Sequence, residues 1–241
     1  MGIIRSKSDK VDARVIAKYA FRIKEEIKES GHFNNRIQEI HSLVNLQDNL
    51  VIKRAGLKAN LKESLSVPLL KRNKLMISVP RNLIKVLNRE IKLLKEAIMA
   101  KIKADDELFE LYKLITSIKG IGAKTAISVI IYTEGFTKFS TWRKFASYCG
   151  TAPFPNQSGT SLRGRTKVSD FANKKLKKLF HLCANSAIQY SPEMRQYYDR
   201  RIADGKNKMS TINIIRNKLI SRIFAVVDRR SPYVDTFKFA A

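Results

Sequence analysis

Two stretches of the chain repeat apolar residues at helical spacing on either side of a proline-bracketed break, and that arrangement leaves few folds open. Leu43, Leu50 and Leu57 recur every seven residues, and Ile37, Ile40 and Val44 share one helical face. This amphipathic pattern runs from Asp9 to about Ser64. Ser66-Val67-Pro68 and Ser78-Val79-Pro80 follow, and each proline disfavours helix at the residue before it. Beyond them Ile84, Leu87, Ile91, Leu94 and Ile98 alternate spacings of three and four, which places them in one seam of the coiled-coil type. Two long helices flanking a turn predict an antiparallel arm over residues 21–106. Such an arm closes on itself as a hairpin or pairs with a second copy, and roughly three heptads leave both open.

Only ten Gly and six Pro occur in 241 residues, and the segments between them carry helical rather than alternating periodicity. The predicted fold class is therefore all-α. After Asp105-Asp106-Glu107 the elements shorten and Gly, Pro and aromatics become more frequent. A compact helical domain is expected over 107–233, with a frayed tail at 234–241.

Charge sets the class of partner. The chain carries 47 Lys+Arg against 21 Asp+Glu, a formal net charge of +26, and so one-sided a balance suits work against a polyanion. Twelve Phe and eight Tyr supply a core, which excludes wholesale disorder. The longest apolar run, Ala126 to Tyr132, is far short of the ~18 residues that cross a bilayer, so no membrane partner is expected. Lys7, Asp9, Lys10, Asp12 and Arg14 stand where a secretory signal needs an apolar stretch; a cytoplasmic, nucleoid-associated location is expected. Cys149 and Cys183 have neither metal nor disulfide spacing and read as small buried hydrophobes.

Two segments could touch phosphate. The stretch Leu114 to Ala126 sets Lys119-Gly120-Ile121-Gly122-Ala123-Lys124 between two helical runs. Its glycines permit a tight turn that brings N–H groups to the next helix's start, where the dipole favours anions. The turn resembles the hairpin of helix-hairpin-helix modules, which contact sugar-phosphate without reading bases. A plain connection with a glycine cap is the other reading. The second segment, Lys138 to Lys178, holds ten basic residues against the single acid Asp170. Arg163, Arg165, Lys167, Lys174 and Lys175 belong to it, and neutralising phosphates through such a patch makes affinity fall steeply with salt.

Within that segment, Gly150 to Arg165 is too rich in Gly, Pro and Ser for helix and reads as a loop. Ser158, beside Gly159, is a hydroxyl at its centre with two guanidiniums downstream. Such a group can attack a phosphodiester while Arg163 and Arg165 hold the charge of the transition state. Asp9 and Asp12, three apart at the head of the first helix, can share Mg²⁺, though carboxylates there also simply suit the dipole. His32, His41 and His181 lack ligand spacing and are assigned no catalytic role.

At these residues the chain resembles the DEDD-type insertion-sequence transposases, the IS-one-ten group related to Piv- and MooV-type DNA invertases. Ser8-Asp9-Lys10-Val11-Asp12-Ala13 is similar to the Asp-x-x-Asp-Ala segment that closes the family's RuvC-like domain. Ile118 to Gly122, Phe139, Tyr148-Cys149-Gly150 with Pro153, Ser158-Gly159, Gly164-Arg165, Asn173 to Leu176 and Asp204-Gly205-Lys206 follow as landmarks of its C-terminal transposase domain. The resemblance spans nearly the whole chain. It implies that Ser158 becomes covalently joined to a DNA phosphate, assisted by Mg²⁺ on acids that include Asp9 and Asp12. It also implies a structured guide RNA and a homo-oligomer formed through the arm.

The departures set further expectations. Residues 1–20 would be a remnant of the RuvC-like domain, starting almost at the third acid, so two of the family's ligands precede the sequence. This chain alone would then not complete a Mg²⁺ centre, and strand cleavage and joining would be impaired. Ala172 stands where the family commonly has Gly before Asn173. The alternative function is a non-catalytic DNA- or RNA-binding remnant that regulates transposition.

Overall fold

A computed structural model describes residues 9–24, 35–158, 162–169 and 171–235. The chain divides into two units, Met1–Asn35 and Arg36–Ala241. The described part of the first is helix α1, Asp9–Arg22, with Asp9 and Asp12 in its first turn and no buried residue.

The second unit begins with the arm. Helix α2 (Asn35–Ser66) leads through a short α3 (Pro68–Arg72) into α4 (Lys74–Lys103). Side-chain pairs step backward along α4 as they step forward along α2: Arg36 with Asp105 just beyond its end, Glu39 with Lys101, Gln47 with the Ile91 carbonyl, and Arg54 with Asn88. That order is antiparallel. The seam read from sequence is buried at Ile98 and half-buried at Ile84, Leu87, Ile91 and Leu94, as expected where one helix has one partner.

The two prolines behave differently. Pro68 opens α3 at its first position, with Val67 extended before it, where a missing N–H costs nothing. Pro80 lies inside α4, so the second helix starts at Lys74 rather than after the proline. There it removes the bond to the Met76 carbonyl, while half-buried Ile77 and Ile84 on either side keep the helix on its seam.

The remaining elements wrap around one helix. Helices α5 (Asp106–Thr116), α6 (Ala123–Thr133), α7 (Trp142–Tyr148), α8 (Lys174–Tyr190) and α9 (Pro192–Ala203) precede α10 (Lys208–Asp228), which packs against α5, α7, α8 and α9. Ile215, Leu219, Ile220 and Ile223 of α10 are fully buried among them. Side-chain caps fix several starts: Asp105 accepts from Leu108 N, Thr141 from Lys144 N, Asn173 from Leu176 N, and Asn207 from Met209 N and Ser210 N. Each is worth about 1 kcal/mol. Cys149 and Cys183 are buried free thiols, as the sequence suggests.

The fold is all-α apart from one ribbon. The segment read as a loop carries β1 (Pro153–Ser158) and β2 (Leu162–Val168), paired antiparallel with an irregularity between Phe154 and Asn156. In two strands each is an edge, so Pro153 and Pro155 are tolerated.

Candidate nucleic-acid interface

The α5–α6 turn packs Gly120 inward against α8 and leaves Gly122 and its two lysines exposed. Gly120 takes φ +93°, and a Cβ there would stand 2.8 Å from Ala187 on α8, so only glycine permits so close an approach. Ile118 and Ile121 are buried in the core, and Ile121 N–H closes the turn on the Ile118 carbonyl at 3.1 Å. Gly122 caps α6 without a side-chain bond, and its N–H donates to the Cys183 sulfur, which also meets Thr125 Oγ1 at 3.2 Å. Burial pushes the Cys183 thiol up, and the two hydrogen bonds only partly oppose it. Lys119 and Lys124 are exposed at the two ends.

A ribbon of two strands is not stable by itself, and this one is fastened at its root. Gly150, at φ +65°, lies so close to Ala172 that a Cβ would stand 2.3 Å from the Ala172 Cβ. Asn173 N–H donates to the Tyr148 carbonyl at 2.9 Å, and Asn173 Nδ2 to Tyr148 Oη at 3.2 Å. Thr151 is wholly buried. Its carbonyl accepts from Asn213 Nδ2 at 2.8 Å and Asn217 Nδ2 at 2.9 Å, while its hydroxyl donates to Asn217 Oδ1 at 2.9 Å. The backbone of Ser158 then stands at the far end of β1, in register with Leu162, and Arg163 pairs with Gln157 and Lys167 with Phe154. Arg165 lies in the irregular stretch of β2 between those pairs. Gly159 and Asp170 lie outside the described residues.

Beside Asn213, Arg216 is 6% exposed, its Nη2 against His181 Nδ1 and its Nη1 3.5 Å from Asn213 Oδ1. Burial first, and then the Arg216 charge, hold His181 below its ordinary value, so it stays a neutral acceptor.

Three of the lysines that could meet phosphate already meet carboxylates. Lys119 Nζ lies 3.1 Å from Asp235. Lys124 Nζ and Lys175 Nζ converge on the two oxygens of one residue of α2, Asp48, at 2.7 and 2.6 Å. Lys174, exposed at the first position of α8, has no acidic partner among the described residues. Asp48 escaped the sequence reading. The signal was there: it is the one acid between Glu39 and Glu63, spaced four from Val44 and three before Val51, in an otherwise apolar seam.

Asp9 and Asp12 are exposed, and no cluster of three or more metal-ligating side chains occurs among the described residues. Two carboxylates one turn apart are too few protein ligands for a fixed octahedral site; substrate phosphate, water or further acids would have to complete it.

Against this geometry the comparisons with known proteins converge. Residues 112–199 match the Transposase IS116/IS110/IS902 family. That span runs from the end of α5 into α9 and holds every expected site residue except Asp9 and Asp12. The chain is 33% identical over 133 residues to an uncharacterized 43.6 kDa protein of insertion element IS110 from Streptomyces coelicolor, a match covering 55% of this chain and 33% of that protein. It is 26% identical over 232 residues to pilin gene-inverting proteins of Moraxella bovis and Moraxella lacunata, covering 95% of this chain and 69% of each. The chain thus spans about a third of the insertion-element relative. No helix among the described residues is long and apolar enough to cross a membrane.

Proposed function

We propose that the protein is a DNA recombinase of insertion-sequence type in which Ser158 attacks a DNA phosphodiester. Ser158 Oγ bonds to phosphorus as a sugar oxygen leaves with a proton, and attack by a second sugar hydroxyl reverses the exchange and joins new strands. One observation carries the reading: Ser158 stands at the far end of a ribbon whose root is fixed to α7, α8 and α10, inside the segment that matches a transposase family. Positioning of that kind is what phosphoryl transfer chiefly asks of a protein. Arg163, Arg165 and Lys167 of β2, with Lys119, Lys124, Lys174 and Lys175, are the proposed phosphate contacts. Gly120, Ile121 and Gly122 shape the turn that carries two of these lysines.

Asp9 and Asp12 would hold Mg²⁺ together with further oxygen ligands, and that ion would supply charge neutralisation at the phosphate. A structured guide RNA shares the backbone chemistry of DNA and is the proposed second nucleic acid. A homo-oligomer is proposed through α4, where Val79, Leu83, Val86 and Leu93 form a second, exposed apolar stripe at spacings of four, three and seven. The name of the Moraxella relatives supports inversion-type chemistry. A non-catalytic binding role is the second reading, favoured by the exposure of Asp9 and Asp12 without a third ligand among the described residues.

The test is to incubate the protein with element-end DNA, its RNA and Mg²⁺, and to look for a denaturant-resistant protein–DNA adduct. An adduct lost in Ser158→Ala is the expected result; tight binding without one assigns the non-catalytic role.

A further inference from the structure

Asp48 occupies two of the lysines proposed above as phosphate contacts. Its two carboxylate oxygens are divided between two lysines from different helices, Oδ1 to Lys124 Nζ at 2.7 Å and Oδ2 to Lys175 Nζ at 2.6 Å. A phosphodiester offers the same arrangement: one negative charge spread over two non-bridging oxygens. The lysines stand at the second positions of α6 and α8, two helices packed on each other. Lys175 is held further by the Tyr132 ring, 5.9 Å from its Nζ. Burial by itself pushes the Asp48 carboxyl up, but the hydrogen bonds and charges of the two lysines outweigh it and leave the group below the ordinary carboxylate range.

The surroundings leave room for exchange. Lys124 is half exposed, at 53%. On one side of Asp48 the arm does not close on α6: a cleft of about 330 Å³ remains, lined by Val44, Gln47, Val51, Ile98, Ala123 and Ile127. The neighbouring attachment is the buried trio Ile37, Ile40 and Val44, which lies toward the start of α2 and would survive loss of the ion pairs.

We propose that Lys124 and Lys175 form a subsite for one phosphate of the DNA backbone, and that Asp48 holds this subsite until DNA displaces it. The inference rests on the nucleic-acid reading above. It adds a competitor built into the arm: the protein gives up an internal ion pair for each DNA contact made here, so loose binding is disfavoured relative to complexes that engage the whole surface.

The experiment uses the full chain and a fluorescent 30-base-pair duplex of random sequence, titrated at several salt concentrations. Asp48→Asn is expected to bind about three- to tenfold more tightly, with the salt slope steeper by about one, because the freed lysines now release counter-ions on binding. Glu39→Gln removes the same single charge from the same helix, at the Lys101 pair, and is expected to change affinity less than twofold. In the Lys124→Gln/Lys175→Gln background the Asp48→Asn gain is expected to vanish. Circular dichroism confirms that each variant is folded. Equal or weaker binding by folded Asp48→Asn, or an equal gain from Glu39→Gln, overturns the assignment. Wild type that does not bind the duplex overturns the nucleic-acid reading as well, whereas wild-type binding without an Asp48→Asn gain overturns the subsite alone.

Discussion

The root of the ribbon and the joint between arm and domain fasten different segments to the same helical core by opposite means. At the root the contacts are neutral and enclosed: Thr151 is wholly buried, its carbonyl accepts from two asparagines, and Gly150 touches Ala172. At the joint the polar contacts are ionic and partly wet, with Asp48 shared between Lys124 and Lys175. Neutral buried bonds are indifferent to salt and costly to leave half-made. Exposed ion pairs are weak, screened and exchangeable. The difference suits a rigid root for the ribbon and an arm attachment that can yield.

The largest expected effect lies at the root. Gly150→Ala places a Cβ in a left-handed conformation and 2.3 Å from the Ala172 Cβ. Strain and overlap together are expected to cost about 3 kcal/mol, measured as a lower urea midpoint with unchanged slope. Adding Ala172→Gly removes the overlap but not the strain, so the double variant should regain part of the loss and remain about 1–2 kcal/mol below wild type. No recovery would mean that the root is not held by this contact.

Next comes Asn217→Ala. It removes one of two donors to the buried Thr151 carbonyl and one of two acceptors of its hydroxyl, leaving Asn213 Nδ2 and the Ala146 carbonyl as their remaining partners. The expected cost is about 2 kcal/mol, the same in 50 mM and 500 mM salt. Formation of the proposed Ser158 adduct should fall more than duplex affinity does, since the variant loosens the ribbon root without removing a cation. A cost that shrinks with salt would erase the contrast between root and joint.

Much of this was legible in the residues, and the failures have local causes. The seam of Ile84 to Ile98 and the face of Ile37, Ile40 and Val44 announce the arm because apolar periodicity reports burial directly. Pro80 is no boundary because the helix is held on its seam on both sides of it, by Ile77 and Ile84, and that packing outweighs the local steric preference. The ribbon was hidden because Gly150 to Arg165 has no alternating apolar pattern; it is held from its root by Asn173, Asn213 and Asn217, which follow it in the chain and bear no local mark of that role. The lysines were legible as cations, while their carboxylate partners, Asp48 and Asp235, lie 76 and 116 residues from Lys124 and Lys119. Charge counting finds a basic surface; only the fold reveals which charges already have partners.

The smallest effect sharpens the other side of the comparison. Asp48→Asn is expected to lower stability by about 1 kcal/mol: the pair with half-exposed Lys124 is screened by solvent, and the pair with Lys175, 28% exposed, carries most of the effect. Its sign with pH is fixed. The folded carboxyl lies below its ordinary value, so its contribution is complete above the unfolded pKa near 4 and is lost as pH falls through the folded value. The difference in urea midpoint between wild type and variant should therefore be flat from about pH 5 to 8, close on acidification below about pH 4, and shrink in 500 mM salt. A difference that widened on acidification would mean that burial, not the two lysines, governs Asp48. A carboxylate governed by burial would already be poorly held in the neutral protein, and DNA would have little to displace.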